Sequence, residues 1–167
     1  KGCFKRGVPC SIDNDFNALA KLLEQADVLV LATPLYWYNF PSQLKAAIDK
    51  IYAYHIGKRN LSIKESCLLA CGEDEGESSF DGLVSTYRHI ADFEGWKIRG
   101  IIIVPGVADK GAIKQTDGLK RCAELRFRQQ ADKRRNFDRW ALVPLDGSGN
   151  DKMVSLLQRL LTSPVWA

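Results

Sequence analysis

Three aromatic side chains and an asparagine follow a short apolar segment, and they are the first group in this sequence that could do chemistry. Residues 27–33 form a continuous apolar run, typical of a parallel strand covered on both faces, and Pro34 ends it. The next residues are Leu35, Tyr36, Trp37, Tyr38 and Asn39. Ligands of open α/β sheets bind outside the carboxyl ends of the strands. We therefore expect these rings to lie where they could stack on a flat ligand.

A helix is predicted directly after the aromatic residues, at residues 41–54. Pro41 suits the first helical turn, because the N–H that proline lacks would have no partner there. Apolar residues then recur at the spacing of one helix face, and they are Leu44, Ala47, Ile48 and Ile51. Strand, loop and helix together form the kind of unit from which α/β domains are built.

Similar patterns predict further elements on both sides of this unit. Asp13 is a candidate N-cap for a helix before the first strand, and Asp117 is a candidate N-cap for one near residue 120. Residues 66–72 and 98–104 read as two more buried strands, with a helix between them that stops near Gly95. Alternation of strands and helices implies a parallel sheet with right-handed crossovers.

The segment TPLYWYNFPSQLKAAIDK, residues 33–50, resembles the flavin-binding segment of the flavodoxin-like NADPH-dependent FMN reductase and NAD(P)H:quinone oxidoreductase family. The resemblance continues upstream in residues 1–25. Downstream it includes CLLACGEDEGES at residues 67–78 and IRGIIIVPGVADKGAI at residues 98–113. It covers roughly residues 1–130, and the segment with the aromatic residues is its most specific part.

The resemblance implies a flavodoxin-like three-layer α/β sandwich that binds FMN. Electrons would pass from NAD(P)H to a quinone, a flavin or a similar small-molecule acceptor, in a cytoplasmic homodimer without nucleic-acid or membrane partners. It also implies two cofactor-binding segments, one made of Pro34, Leu35, Tyr36, Trp37, Tyr38 and Asn39, and one made of Ala70, Cys71, Gly72 and Glu73. Because the flavin carries the chemistry, no catalytic side chain is expected.

Two other functions fit the same residues. A flavin electron carrier would bind FMN but would not react with a nicotinamide. A degenerate flavodoxin-like domain would have lost FMN and would serve as an interaction module. The aromatic residues could also be core or dimer contacts, and this alternative is strongest for Trp37, because interfaces favour tryptophan.

The bulk properties are those of one globular domain. The chain has 167 residues, a net charge of +4 and no apolar run long enough to span a bilayer. The basic tract at residues 114–139 lacks the aromatic spacing of a nucleic-acid site, so we interpret it as a solvated surface. An odd number of cysteines, five, fits a reducing compartment such as the cytoplasm.

Cys3 and Cys10 raise the question of an iron–sulfur cluster, since some relatives of the family hold one with cysteines in this region. Such clusters normally need four thiolates. Only two cysteines are present here, and Arg6 stands where another might be expected. We therefore predict a loop with free thiols and no metal site.

The largest departure from the family pattern is the number of strands, three where the flavodoxin-like sheet needs five. By the resemblance, the first strand, the phosphate loop, the first helix and the second strand of the family would precede Lys1. Residues 1–131 are expected to form the flavin-binding domain, and residues 132–167 form either a C-terminal extension or a permuted strand–loop–helix. In the permuted alternative, Gly147, Ser148, Gly149 and Asn150 would face the FMN phosphate. Pro144 favours the extension, because proline is disfavoured inside a central strand.

Overall fold

The structure is a computed structural model that describes residues 3–12, residues 16–125 and the backbone of residues 140–143. Within these residues the elements, in chain order, are α1 (Phe16–Leu23), β1 (Val28–Pro34), α2 (Ser42–Ile56), β2 (Glu65–Cys71), α3 (Asp81–Glu94), β3 (Lys97–Val104), α4 (Gly118–Glu124) and β4 (Trp140–Val143). Short 3-10 helices lie at Glu77–Phe80 and Ala112–Gln115. None of the helices described is long and apolar enough to cross a membrane.

The four strands form one parallel sheet in the order β3–β2–β1–β4. β1 pairs with β2 along its whole length, from Val28 opposite Glu65 to Pro34 opposite Cys71. On its other side β1 pairs with β4, where Val28 lies opposite Trp140. The α/β class and the parallel sheet predicted from the sequence are therefore confirmed.

Helices cover both faces of the sheet. α1, α2 and α3 pack on one face, where Leu29 and Leu31 of β1 point. Cys122 of α4 packs on the other face, against Val30 and Ala32. All seven residues of β1 are buried, because successive side chains of a strand point to opposite faces and both faces are covered. This explains why β1 reads as a continuous apolar run.

The predicted division at residue 131 lies among residues that the structure does not describe. So do Pro144, the loop at 147–150 and the helix predicted after it. The backbone of β4 lies beside β1, on the side away from β2. Permutation of a strand–loop–helix and a simple C-terminal extension therefore both remain predictions.

The helix boundaries refine the sequence prediction. Pro41 is the residue before α2, with ψ of 149°, so the helix begins at Ser42 and not at the proline. Asp117 does precede α4, but its side chain makes no capping hydrogen bond, and its carboxylate lies 3.7 Å from the guanidinium of Arg121. Gly95 ends α3 with a left-handed φ of 69°, as predicted. Asp13 lies outside the described residues.

A hydroxyl pair links α3 to β2 inside the core. Tyr87 Oη and Ser66 Oγ are 2.8 Å apart, and both residues are fully buried. We expect Tyr87→Phe to lower the free energy of unfolding by about 1–3 kcal/mol, because Ser66 keeps a buried hydroxyl without this partner. In a double-mutant cycle measured by urea denaturation, adding Ser66→Ala to Tyr87→Phe should lower the free energy of unfolding by little more. Fully additive losses would contradict the coupling.

Candidate functional site

The aromatic residues after β1 form a tight turn. The N–H of Tyr36 donates to the carbonyl of Asn39 at 3.1 Å, and the N–H of Asn39 donates back to Tyr36 at 3.0 Å. The two central residues have positive φ, 44° at Trp37 and 63° at Tyr38. Turns of this kind normally use glycine or asparagine, and a left-handed conformation costs other residues about 1–2 kcal/mol each. Such strain clusters at functional sites, so this turn is the leading candidate.

The first turns of α3 hold the aromatic turn in place. Asn39 Nδ2 donates to Thr86 Oγ1 at 3.1 Å, and Thr86 Oγ1 donates to the carbonyl of Gly82 at 2.8 Å. The backbone of Tyr38 lies so close to Gly82 that a Cβ on this glycine would be 2.7 Å from the Tyr38 carbonyl oxygen. Gly82 and Thr86 could not be predicted as site residues, because a contact between residues 47 positions apart, such as that of Asn39 with Thr86, leaves no local signal in the sequence.

The aromatic rings of the turn are available to a ligand. Trp37 is 93% exposed, and Tyr36 and Tyr38 are also exposed, so none of the three belongs to the core of the described chain. Pro34 is buried, while Leu35 and Asn39 are half-buried. Packing in the core formed by the described residues is therefore excluded for these rings, and a flat ligand and an interface remain as alternatives.

The loop after β2 packs directly against the aromatic turn. The N–H of Leu35 donates to the carbonyl of Cys71 at 2.8 Å. A Cβ on Gly72 would lie 3.1 Å from Leu35 Cβ and 3.2 Å from Phe80 Cζ, so a larger residue here would have to push these side chains away by a few tenths of an ångström. The close approach that the structure shows is between two parts of the protein.

The predicted residues of the second segment divide into two groups. Gly72 and Glu73 follow β2 at the carboxyl edge of the sheet, and Gly72 lies beside Leu35. Ala70 and Cys71 are the last residues of β2, and their side chains are buried in the core. Any direct role of Ala70 and Cys71 in binding would therefore be through backbone atoms.

A third loop, after β3, completes this edge and was not among the predicted site residues. The N–H of Gly106 donates to the carbonyl of Asp74 at 2.9 Å, and the N–H of Val107 donates to the carbonyl of Gly72 at 2.8 Å. The signal that could have found it is Pro105 and Gly106 directly after an apolar strand, since the carboxyl ends of parallel strands meet at one edge.

The donors and rings of the turn fit the flavin that the resemblance implies. Within the described residues, no backbone acceptor takes up the N–H groups of Trp37 and Tyr38, which leaves two donors for the carbonyl oxygens of a ligand. No charged side chain lies between residues 34 and 39, so the turn suits a flat, largely uncharged ring system.

The described part of the chain offers little for other kinds of catalysis. It holds no group of three or more His, Cys, Asp or Glu that could bind a metal ion. His55 lies 2.9 Å from Glu94 at the carboxyl end of α2, so it is at the opposite end of that helix from the aromatic turn.

The thiol of Cys71 should be unreactive in spite of its place in the predicted site. Burial raises the pKa of Cys71 and of Cys67 to about 12, so roughly one thiol in 10,000 is ionised at pH 8. At this pH we expect iodoacetamide to modify Cys3 and Cys10, which are half-buried, before the three buried cysteines. Peptide mass spectrometry before and after unfolding in guanidinium measures this order. Rapid modification of native Cys71 would contradict it.

The N-terminal loop that carries Cys3 and Cys10 is anchored to the domain. Phe4 packs edge-on against Tyr54, with ring centroids 5.3 Å apart. The backbone N–H and carbonyl of Cys10 both bond to the side chain of Asn17, each at 2.9 Å. The absence of an iron–sulfur cluster stays a prediction.

The chain is similar to several curated proteins, of which two are described here. The "Putative NAD(P)H-dependent FMN-containing oxidoreductase YwqN" of Bacillus subtilis (strain 168) is 23% identical over 126 residues, which are 72% of this chain and 70% of YwqN. The "Iron-sulfur flavoprotein" of Methanosarcina thermophila is 29% identical over 104 residues, 62% of this chain. The chain spans about half, 51%, of the length of that flavoprotein.

The structural and family comparisons agree on the fold. The Trp repressor binding protein from Bacillus subtilis superimposes with a TM-score of 0.59 at 22% identity, over 70% of this chain and 73% of that one. At this identity the likeness shows the fold alone. Residues 5–127, most of the chain, match the family described as having a flavodoxin-like fold. The resemblance seen in the sequence is thus confirmed, and the chain belongs to the flavodoxin-like fold family.

Proposed function

We propose that this protein is an FMN-dependent oxidoreductase that transfers electrons from NAD(P)H to a quinone, a flavin or a similar small acceptor. The observation that carries the proposal is the turn at Tyr36–Asn39. It presents exposed aromatic rings and two backbone donors at the carboxyl end of β1, with non-glycine residues in a strained conformation. Backbone strain lowers the stability of the protein, and binding of a ligand by this turn would explain why the strain is kept.

The residues of the turn have separate parts in this proposal. The N–H groups of Trp37 and Tyr38 would hold the edge of the isoalloxazine ring, and the rings of Tyr36 and Trp37 would form a wall that limits access of water. Leu35 and Gly72, which are in contact, would form the base beneath. FMN, when bound, supplies hydride and electron transfer, and the chain supplies binding and orientation.

The relatives support a flavin rather than another flat ligand. YwqN is named as FMN-containing and NAD(P)H-dependent, and the Methanosarcina protein is named as a flavoprotein. Because the nicotinamide and the acceptor would use the same exposed face of the ring in turn, we expect ping-pong kinetics. The exposure of the rings of the turn suits a diffusing small molecule as the acceptor.

Titration of the 167-residue chain with FMN, followed by flavin fluorescence and absorbance, tests the proposal. We expect Trp37→Gly to weaken FMN binding about tenfold through loss of the ring, which corresponds to about 1.4 kcal/mol. The same substitution should not destabilise the protein, because glycine adopts a φ of 44° without strain. Leu22→Ala is the control for loss of an exposed apolar side chain, here on α1. Alanine is used at this position because a glycine would itself destabilise the helix.

The outcomes separate the candidate functions. FMN binding together with NAD(P)H oxidation that depends on a quinone supports the oxidoreductase. FMN binding without nicotinamide oxidation supports the electron carrier. A chain that leaves the flavin spectrum unchanged at every FMN concentration would rule out both and leave the interaction module.

A further inference from the structure

The side chain of Asn39 finds partners within the protein for both of its polar atoms. Its Oδ1 accepts from the backbone N–H of Phe40 at 2.8 Å, and its Nδ2 donates to Thr86 Oγ1 at 3.1 Å. The resemblance places Asn39 in the cofactor-binding segment, yet neither atom needs a ligand as its hydrogen-bond partner. The side chain that closes the aromatic turn is therefore directed at α3.

The hydroxyl of Thr86 is suited to receive this bond, because its own proton has another acceptor. Thr86 Oγ1 donates to the carbonyl oxygen of Gly82 at 2.8 Å, one helical turn earlier in α3. A hydroxyl has one proton, so towards Asn39 the oxygen can only accept. This agrees with the orientation of the Asn39 amide, in which Oδ1 is used by Phe40 and Nδ2 is left for Thr86. The bonds from Asn39 through Thr86 to Gly82 therefore have one consistent direction.

These bonds support the part of the turn that is under strain. Trp37 and Tyr38 have φ of 44° and 63°, a conformation that is uncommon for residues other than glycine. Two backbone hydrogen bonds between Tyr36 and Asn39 close the turn, and the side chain of Asn39 joins it to α3. Without this link, the two strained residues would leave their conformation in a larger fraction of the molecules.

We propose that Asn39 and Thr86 are positioning residues, which hold the aromatic turn in its FMN-binding conformation before FMN arrives. The inference rests on the proposed function, in which the N–H groups of Trp37 and Tyr38 are the donors to FMN. The side chains of Asn39 and Thr86 act through that backbone and do not contact the flavin. Apparent affinity falls in proportion to the fraction of molecules in the competent conformation, so loss of the hydrogen bond should slow FMN association.

Stopped-flow measurement of FMN binding, followed by flavin fluorescence, tests the proposal through its two rate constants. Thr86→Val removes the hydroxyl and keeps the shape of the side chain. We expect its association rate constant to fall at least fivefold and its dissociation rate constant to change less than twofold, because only the population of the competent turn in the free protein is lower. Thr86→Ser keeps the hydroxyl and should bind FMN as fast as the wild type.

Ser85→Ala is the matched control, because Ser85 is the neighbouring residue of α3, is exposed, and its substitution also removes a hydroxyl. Its rate constants should equal those of the wild type. Asn39→Ala should slow association at least as much as Thr86→Val, and the double variant no more than Asn39→Ala alone, since both act through one bond. An association rate constant of Thr86→Val within twofold of the wild type would overturn the proposal. A Thr86→Ser variant as slow as Thr86→Val would overturn it as well.

Hydrogen exchange without FMN, measured by NMR, tests the positioning separately from the oxidoreductase function. In the wild type the amides of Tyr36, Asn39 and Phe40 should be protected, because each donates a hydrogen bond in the turn. In Thr86→Val they should exchange at least fivefold faster, whereas the amides of β2 should be unchanged. A wild type that shows this pattern but binds no FMN would overturn the proposed function and leave the positioning of the turn. Turn amides that are unprotected in the wild type, or equally protected in both proteins, would overturn the positioning itself.

Discussion

The Phe80→Ala variant is expected to lose about 3–5 kcal/mol of free energy of unfolding, the range for a large aromatic side chain removed from a packed core. Phe80 is fully buried in the cluster formed by α1, α2, α3 and one face of the sheet. Its ring also lies beside Gly72 and Leu35, beneath the aromatic turn. Since small domains have about 5–15 kcal/mol of stability in total, this variant should be close to unfolding.

Urea denaturation followed by tryptophan fluorescence measures the loss. Phe80→Leu is the conservative comparison and should cost less, because it leaves a smaller cavity. Leu22→Ala, at an exposed position of α1, should change the free energy of unfolding by no more than about 0.5 kcal/mol. Equal stability of Phe80→Ala and Leu22→Ala would mean that Phe80 is not part of the core as described.

The second large effect is expected at Gly82, where a methyl group would push the aromatic turn away from α3. In Gly82→Ala the new Cβ would lie 2.7 Å from the carbonyl oxygen of Tyr38, a backbone atom that can move only with the turn. We expect a net loss of about 1–2 kcal/mol of stability, because the overpacking penalty of about 1–3 kcal/mol exceeds the gain of alanine over glycine in a helix. FMN affinity should fall about tenfold, since Trp37 and Tyr38 are displaced.

Gly76→Ala is the control for this prediction. Gly76 lies in the loop after β2 with a negative φ, and the nearest atom to its new Cβ would be Ser78 Oγ at 3.5 Å, an ordinary contact. Thermal unfolding and FMN titration of the two variants give the comparison. If Gly82→Ala binds FMN as tightly as Gly76→Ala does, the contact between α3 and the turn has no part in the site.

Much of the fold could be predicted because its signals are local. The apolar run of β1 implied a strand covered on both faces, and its seven residues are buried. Gly95 was expected to end a helix, and it ends α3. Pro41 shows the usual limit of such reasoning: proline marks the start of the helix, but the residue serves as the N-cap and not as the first helical position.

The site could be predicted only in part. The sequence indicated the aromatic residues, because aromatic side chains directly after a buried strand lie at its carboxyl end. It also indicated Ala70 and Cys71, but the end of β2 turns both side chains into the core. A family pattern indicates which segment is near a ligand, whereas the alternation of the strand decides which atoms of that segment can reach it.

By itself the sequence determined the α/β class, the parallel sheet and the place of the aromatic turn, since hydrophobic period and turn residues act over a few neighbouring positions. Only the tertiary structure decided how the turn is supported. Asn39 bonds to Thr86, Tyr38 packs on Gly82, and Gly72 admits Leu35 and Phe80. The strand order β3–β2–β1–β4 also emerged only there. These contacts join residues far apart in the chain, and they depend on how the helices pack on the sheet, which no local pattern records.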